Sequence, residues 1–428
     1  MTRSIRFLLT ALSLGLGFAC TTVGPDLNGN VRVYQTAEPT SPEVCSKRRV
    51  RTANELWNGI LILESGDEPE HGRFQPDDDF FWLTGIDAPE AAVVLVASEG
   101  DLKRQTLYLP PKDERHELWN GPRLSPGPTA SKLSGFADIR STESFLSDVE
   151  ELQLQDTPLL TSGMRVASYS SMVDDDGEPM DTRRFMRNVQ VVKDSAEIEA
   201  TRAAVDITQE ALADAMRIAV PGAYEFTAEA AIEGGFRFRG AETLAFPSIC
   251  GSGINSCYLH YRSNQRRLQA GDLLLMDVGA KVRHYCADVT RTIPVSGTFT
   301  PRQREVYTIV YEASRLAADV LKPGATLNDA DKVARDYLAE HGFERKDFPH
   351  SIGHGLGLKV HDSPARTTTL EAGMVVTIEP GIYLPDEEIG IRIEDDYLIT
   401  ETGAELLSSS LPSHPDELEA FLAEVRGS

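Results

Sequence analysis

Two aspartates in the middle of the chain occupy positions that could support metal chemistry. Asp277 and Asp288 each end an apolar run, and a short polar turn, from Ala280 to Arg283, separates the runs. Such runs, bounded by Gly and charged residues, are typical of buried strands. We expect a hairpin, turning near Val282 and Arg283, that sets Asp277 opposite Asp288. Each buried carboxylate costs roughly several kcal/mol unless it is neutralised, and neither strand core carries Lys or Arg. The pair therefore predicts a divalent cation.

A second pair of carboxylates follows in the C-terminal part of the chain. Glu379 and Glu394 also end apolar runs that are joined by a short connection. The alternation of side chains along a strand places Arg392 and Glu394 on one face. Between the two pairs lies a Gly-rich segment, residues 350–358, which offers His354 where the backbone can approach closely. The two pairs and this histidine are the candidate donors of one site.

Four carboxylates and one imidazole form a mostly hard, oxygen-rich donor set. It suits two divalent ions bridged by carboxylates; manganese, cobalt and zinc are compatible, and the histidine disfavours calcium. Two ions roughly 3.5 Å apart would bind and activate a shared water. A lone strand Asp or a lone Gly-flanked His is more often structural than catalytic. Five such residues at matched places of a duplicated sequence favour a site.

The elements that must position these residues occur twice. Each copy is a long helix, a Pro-Gly stop, a shorter helix and strands that carry acidic residues. We expect capping boxes at Asp194 and at Thr300, the latter followed by Pro at the first helical position. The shorter helices are predicted over residues 227–233 and 327–341. Pro221 to Pro323 and Asp277 to Glu379 are both separated by 102 residues, and His260 to His361 by 101. The copies should pack around a pseudo-twofold axis with their acidic hairpins at the centre.

The 428-residue length predicts two domains. Residues 51–190 form the first, of mixed α/β pattern, with strands expected over residues 59–63, 80–83, 92–97 and 106–108. Residues 191–428 form the second, and residues 20–50 form a polar tether without periodicity. Trp82 and Trp119 are expected to be packing or interface residues.

Composition and charge exclude several classes of partner. The chain is 41% hydrophobic and 25% charged, which is typical of a globular protein with a sizeable core. A net charge of −24 argues against nucleic acid and anionic membranes as partners. The acidic clusters at residues 77–79 and 174–176 are most simply solvated loops.

The N-terminus predicts export. Arg3 and Arg6 precede an apolar stretch, Phe7 to Ala19, that is too short to span a bilayer and suits a signal peptide over residues 1–19. The segment ends like a bacterial lipoprotein cleavage site, with Cys20 as the acylated residue and Gly17 where Leu is usual. We expect a periplasmic or cell-envelope lipoprotein; ordinary secretion with Cys20 as a bystander is the alternative.

Four further cysteines leave their state open: Cys45, Cys250, Cys257 and Cys286. They could pair in an oxidising compartment, or be buried as small hydrophobic residues. Because no CxxC motif occurs, a structural zinc site is not expected.

Several motifs resemble one enzyme family. MDVG…ADVTRT, HSIGHGLG, TIEPG and IRIED are similar to the pita-bread metallopeptidases, in the aminopeptidase P and prolidase branch, over about residues 190–405. Residues 80–85 and 107–121 also resemble the first domain of this branch. The resemblance implies an α/β (α+β) fold, with an N-terminal creatinase-like domain and a C-terminal pita-bread domain that contains an internal pseudo-twofold duplication. It also implies a homodimer or homotetramer.

The resemblance assigns the candidate ligands. It makes Asp277, Asp288, His354, Glu379 and Glu394 the ligands of a dinuclear centre, with Asp288 and Glu394 bridging the ions. Manganese is the expected metal, with cobalt or zinc as alternatives.

The resemblance also assigns residues around the substrate. His260 corresponds to a histidine that contacts substrate and the tetrahedral intermediate. His361 corresponds to one that binds the residue after the scissile bond and moves protons. Arg392 resembles a substrate-orienting arginine, and His350 and Tyr383 are expected to line the site.

The implied activity is removal of the N-terminal residue from peptides with proline in second position, by attack of a metal-bridged hydroxide. Glu379 would take the proton from the water and give it to the prolyl nitrogen. An Xaa-Pro dipeptidase, or prolidase, is the first alternative, because the short connection between Tyr383 and Gly390 leaves the preferred substrate length open. An alternative of another class is an inactive pita-bread module that only binds peptides. Such modules usually lose ligands, whereas all five are present here.

Overall fold

The computed structural model describes residues 40–153, 158–162, 169–170 and 181–427. The predicted signal peptide, Cys20 and the acidic cluster at residues 174–176 lie outside these residues. None of the helices that are described is long and apolar enough to cross a membrane.

The N-terminal part of the chain builds one mixed sheet with helices around it. Its helices are α1 (Pro42–Leu56), α2 (Asp78–Thr84), α3 (Glu114–Asn120), α4 (Pro128–Ser134), α5 (Phe145–Gln153) and α6 (Thr182–Gln190). Its strands are β1 (Gly59–Glu64), β2 (Ala92–Ser98), β3 (Asp101–Leu109), β4 (Asp138–Ser141), β5 (Leu159–Ser162) and β6 (Tyr169–Ser170).

The strand order of this sheet is β4-β3-β2-β1-β5-β6. β1 pairs antiparallel with β2 and parallel with β5. All six residues of β1 are buried, because the sheet is covered on both faces. Leu61 and Leu63 face one hydrophobic cluster, and Ile60 and Ile62 face another. The mixed α/β prediction for this domain is confirmed.

Residues 42–50, which the sequence predicts to be tether, are instead the first part of α1. Ser41 caps this helix and Pro42 begins it. The segment is polar, but its long side chains are bonded inside the protein. Arg49 donates to Leu83 O at 2.9 Å, and Arg48 donates to Asp194 Oδ2 at 2.8 Å. These partners lie far away in sequence, which is why local periodicity does not predict the helix.

The predicted strand at residues 80–83 is wrong: this segment lies in α2. The Asp77 carboxylate accepts from the backbone of Asp79 and Phe80, and Gly85 ends the helix in the left-handed conformation, with φ of 65°. An apolar run alone does not distinguish a short helix from a strand, whereas these two end signals do. Trp82 is fully buried, and Trp119 is 80% exposed.

The C-terminal part of the chain repeats one pattern twice. Its helices are α7 (Ser195–Ile218), α8 (Glu225–Arg239), α9 (Pro301–Ala318), α10 (Leu327–Glu340) and α11 (Pro415–Arg426). Its strands are β7 (Thr243–Leu244), β8 (Ile249–Ser252), β9 (Leu273–Val278), β10 (Ala280–Val282), β11 (Tyr285–Cys286), β12 (Val289–Pro294), β13 (Val375–Ile378), β14 (Gly381–Leu384), β15 (Ile389–Arg392), β16 (Asp395–Ile399) and β17 (Ala404–Leu406).

Both predicted capping boxes are present at the starts of the long helices, at Asp194 with Glu197 and at Thr300 with Gln303. α8 is longer than predicted, because the helix continues to Arg239 before Gly240 ends it with φ of 104°. The fold predicted for this domain, two copies of helix, shorter helix and acidic strands, is confirmed.

The acidic hairpin of the first copy differs in register from the prediction. In the first copy Asp277 pairs with Thr290, not with Asp288. The turn is formed by Arg283 and His284, both with positive φ, one position later than expected. A turn shifted by one residue moves the pairing by two, so Asp277 and Asp288 lie diagonally on the same face. In the second copy the ladders around Glu379 place it opposite Glu394.

The two hairpins meet at the centre of the domain. Thr290 forms a bridge with Glu394, and Thr292 Oγ1 donates to Arg392 O at 3.0 Å. The four cysteines Cys45, Cys250, Cys257 and Cys286 are free, so the alternative of small, mostly buried side chains describes them.

Candidate active site

A cavity of about 680 Å³ opens where the two acidic hairpins meet. Nine of the ten predicted site residues line it: Asp277, Asp288, His354, Glu379, Glu394, His260, His361, His350 and Arg392. The donors come from both copies of the repeat, so the cavity exists only because the halves converge.

Three of the donors form a compact cluster. Asp288, His354 and Glu394 each offer a ligand atom, and these atoms lie within 4.8 Å of one another. His354 Nε2 is 3.4 Å from Asp288 Oδ2 and 3.7 Å from Glu379 Oε1. These separations are those of side chains that surround a common centre.

The backbone fixes the orientation of His354. Its amide donates to Thr377 Oγ1 at 3.2 Å, and its carbonyl accepts from Thr377 N at 2.9 Å. Its Nδ1 is 3.0 Å from Gly355 O. Because a carbonyl only accepts, Nδ1 holds the proton and Nε2 is free to act as a ligand. Gly353 permits the close approach, since a Cβ there would lie 2.0 Å from Thr377 O.

An arginine from the second copy contacts Asp277. Arg392 Nη2 lies 2.5 Å from Asp277 Oδ2, whereas Arg291, which lies inside β12 contrary to the expectation of a strand core without Lys or Arg, pairs with Asp395 Oδ1 at 2.6 Å. The pairing uses one oxygen only: Asp277 Oδ1 and Asp288 Oδ1 are buried without a hydrogen-bond partner. Carboxylate oxygens that lack a hydrogen-bond partner, in an oxygen-rich cluster, are the kind of ligand that hard divalent cations bind. The residues therefore fit a divalent metal.

The packing of like charges shifts the pKa values of these groups. Burial, with the Asp277 carboxylate nearby, raises the pKa of Glu379 to about 8 although Arg392 opposes the shift. Burial and neighbouring carboxylates raise the pKa values of Asp288 and Glu394 well above their ordinary range. Burial lowers the pKa of His354 to about 4, so this imidazole is neutral and can bind a metal. A bound cation would return the carboxylates to their charged form.

Tyr383 is not among the described residues that line the cavity, contrary to the prediction. It is 5% exposed, because it lies behind Arg392 and His350. Its hydroxyl accepts from Arg392 Nη1 at 2.7 Å and lies 2.9 Å from His350 Nε2. His350 Nδ1 is 2.9 Å from Ser351 O and 3.5 Å from Glu379 Oε2. Tyr383 thus orients two residues of the cavity wall.

The other two predicted histidines, His260 and His361, also line the cavity. The ring of His361 packs edge-on against His354 with centroids 4.4 Å apart. His260 lies on an irregular loop after β8, and Arg392 Nη2 donates to the carbonyl of its neighbour Leu259 at 3.4 Å. Both histidines are exposed to the cavity.

Two supporting residues are not identified by the sequence analysis. Thr290 Oγ1 donates to Glu394 Oε2 at 2.7 Å and accepts from Arg392 Nε at 3.3 Å. Asp396 Oδ2 accepts from the Asp288 amide at 3.1 Å. Thr290 lies two residues from Asp288 and Asp396 two residues from Glu394, and this proximity to a candidate ligand is the signal that could have singled them out.

Two family models match the chain. Metallopeptidase family M24 matches residues 199–401, and the aminopeptidase P N-terminal domain matches residues 45–159.

Curated relatives match over most of the chain. The Xaa-Pro aminopeptidase of Escherichia coli is 33% identical over 403 residues, covering 82% of this chain and 90% of the relative. That of Haemophilus influenzae is 32% identical over 421 residues, covering 89% of this chain and 97% of the relative.

Solved structures share the fold. A putative aminopeptidase P from Bacillus anthracis superposes with a TM-score of 0.82 at 29% identity, over 90% of this chain and 99% of that chain. The structure of E. coli aminopeptidase P with the inhibitor Pro-Leu superposes with a TM-score of 0.80 at 28% identity, over 91% of this chain and 100% of that chain.

Proposed function

Because the chain belongs to metallopeptidase family M24, in its Xaa-Pro aminopeptidase branch, we propose that it removes the N-terminal residue from peptides with proline in second position. The convergence of five donors on one cavity, with two buried carboxylate oxygens left unpartnered, carries this proposal. An inactive peptide-binding module would have no use for such a costly cluster of like charges.

We propose that Asp277, Asp288, His354, Glu379 and Glu394 hold two divalent ions, with manganese the favoured metal. When bound, these ions supply positive charge that polarises a peptide carbonyl and acidifies a water molecule. Asp288, His354 and Glu394, whose ligand atoms lie within 4.8 Å of one another, would hold the ions together with Asp277 and Glu379.

Glu379 is the proposed proton carrier. Hydrolysis before proline expels a tertiary amide nitrogen, which leaves only after it gains a proton. Glu379 takes a proton from the attacking water and delivers it to that nitrogen. Burial and the neighbouring Asp277 raise the pKa of Glu379, and bound ions would oppose this shift, so the carboxylate can both take up a proton and release it.

Three residues handle the peptide. His260 donates to the carbonyl oxygen as negative charge develops on it. His361 binds the residue that follows the scissile bond, on the side of the cavity next to His354. Arg392 orients the substrate; its guanidinium is held by Tyr383, Thr290 and Asp277, so its position is fixed before a peptide binds.

The proposal is tested by hydrolysis in a metal-depleted preparation before and after manganese is restored. We expect activity on the tripeptide Arg-Pro-Pro to return as two equivalents bind, and Arg-Ala-Pro, the matched control, to remain uncleaved. Cleavage of the dipeptide Gly-Pro in preference to Arg-Pro-Pro would make the protein a prolidase. A protein that binds no metal and cleaves neither peptide would contradict the proposal.

A further inference from the structure

The loop that carries His260 needs an anchor, because most of it has no regular structure. It spans residues 252–266 and contains a short 3₁₀ helix, Gly253–Cys257. On the side before His260, the loop is held by the second copy of the repeat: Gly390 N donates to Ser256 Oγ at 2.9 Å, and Arg392 reaches the Leu259 carbonyl. The part of the loop after His260 is held by a carboxylate of the first copy, Glu225.

Glu225 lies at the start of α8 and is fully buried. Its Oε1 accepts from Ser252 N at 2.7 Å, from Ser252 Oγ at 2.8 Å and from Asn255 Nδ2 at 3.0 Å. Its Oε2 accepts from Tyr261 OH at 3.0 Å and from Arg266 N at 2.8 Å. A single carboxylate thus binds both ends of the loop and the residue that follows His260.

Among the residues that the structure describes, Glu225 forms these hydrogen bonds and no salt bridge. The guanidinium of Arg266, whose backbone amide donates to Glu225, is engaged with Asp272 and, at 2.9 Å, with Ser252 Oγ. An ionised carboxylate accepts without donating, so it can satisfy five donors at once, which an amide cannot.

We propose that Glu225 is a positioning residue for His260. It does not line the cavity and touches no candidate ligand, but it fixes Tyr261, whose backbone is continuous with His260. The inference rests on the proposed contact of His260 with substrate. It adds that the contact depends on a carboxylate on α8, 35 residues earlier in the chain.

The test is a double-mutant cycle that combines Glu225→Gln with His260→Ala. The glutamine amide presents donors where Tyr261 OH and Arg266 N also donate, and the backbone donor cannot rotate away. We expect E225Q to lower kcat/KM for Arg-Pro-Pro about 10-fold, as small misplacements of catalytic groups do. In the H260A background we expect a loss below about 2-fold, because residues that act as a unit are not additive. Bound manganese should remain at two equivalents.

Glu210→Gln is the matched control. Glu210, on α7, is half-buried and accepts from Arg239 Nε of α8 at 2.8 Å, so the change removes a charge from an ion pair between these helices rather than from the loop. Its kcat/KM should stay within about 2-fold of the parent in both backgrounds.

Three outcomes overturn the inference. Unchanged kinetics in E225Q would show that the carboxylate is dispensable, and equal losses in both backgrounds would show that it does not act through His260. Full activity in H260A alone would remove the proposed role of His260 itself, a failure that is visible before Glu225 is changed. If E225Q does not fold, Tyr261→Phe deletes one donor only, and the same absence of additivity with H260A is expected of it.

Discussion

Glu379 has two proposed roles, as a metal ligand and as the proton carrier. It lies between His354, 3.7 Å away, and His350, 3.5 Å away, at the end of β13. A carboxylate in this position can bind a cation with one oxygen and exchange a proton with the other. Burial, with the Asp277 carboxylate nearby, raises its pKa to about 8, so the surrounding side chains favour the protonated form.

Replacing Glu379 with Gln tests this double role. The amide has the same shape but cannot take up a proton, so we expect kcat to fall by about 10²-fold to 10⁴-fold. The fold should survive, since the change removes a buried charge. Hydrolysis of Arg-Pro-Pro and the melting temperature are the two measurements.

Glu371→Gln makes the same chemical change at an exposed position eight residues earlier, and it should leave both quantities unchanged. A fully active E379Q protein would refute the assignment of Glu379 as proton carrier.

The residues of the site could be predicted from the sequence, but their partners could not. Asp277, Asp288, Glu379 and Glu394 stand at the ends of apolar runs, a local signal that also implies burial. The contact between Arg392 and Asp277 joins residues 115 positions apart. It arises because the two copies of the repeat face each other, and no pattern within either copy contains that information.

At the scale of the elements, close packing of backbone on backbone positions the cavity wall. β15 carries Arg392 and runs directly against the His260 loop. A Cβ at Gly390 would lie 2.1 Å from Ser256 O, whereas a Cβ at Gly234, on α8, would meet nothing within 4 Å. Glycine is therefore required at the first position and replaceable at the second.

Gly390→Ala and Gly234→Ala should have opposite effects. The first must push β15 away from the loop, and overpacking of this kind costs about 1–3 kcal/mol. It should also reduce kcat/KM, because both Arg392 and His260 would move. The second should stabilise by roughly 0.5–1 kcal/mol, since glycine is unfavourable inside a helix. Denaturant unfolding and hydrolysis of Arg-Pro-Pro measure both effects. Equal stability of the two variants would contradict this account of the packing.

The sequence predicts many of the helices and strands of the second domain but not the exact register of its first hairpin. Apolar runs predict the strands β9, β12 and β13, and cap residues predict the long helices. The turn at Arg283 and His284 could not be placed exactly, because neither residue is the Gly, Asn or Asp that usually marks a two-residue hairpin turn. The strand predicted in place of α2 is wrong because residues 80–83 are all apolar and buried. Such a run has no periodicity that separates a helix from a strand, and only the residues at its ends identify the helix.

At the scale of the whole molecule, buried polar contacts join the first domain to the second. Trp82 Nε1 and Tyr285 OH both donate to the buried Glu197 Oε1, at 3.0 Å and 2.9 Å. Lys281 Nζ reaches Asp78 Oδ1 at 3.2 Å. The expectation that residues 77–79 are a solvated loop is wrong, since Asp79 is 5% exposed at this junction. The cluster is acidic because it begins α2 and faces lysines of the other domain.

Asp79 should make stability depend on pH. Burial, reinforced by the Asp77 carboxylate, raises its pKa to about 7 against the opposing charge of Lys359, compared with about 3.9 in an unfolded chain. Between these values the native state holds a proton that the unfolded state has released. Unfolding then releases a proton, so stability falls as pH rises from about 4 to about 7 and levels off above that.

Asp79→Asn isolates this effect, because the amide oxygen can still accept from Gln190 Nε2, now 2.9 Å from Oδ1. We expect the variant to match the parent near pH 4 and to exceed it at pH 8 by an amount on the order of a few kcal/mol, the size set by the pKa difference. Free energies of unfolding from denaturant titrations at several pH values, with manganese present throughout, give the difference curve. The contributions of the other buried carboxylates cancel in this difference curve, and the control Asp67→Asn, at an exposed position, should give a flat curve. Parallel curves for the parent and the D79N variant would mean that this carboxyl group is ionised at the junction and is stabilised there by the lysines of the second domain.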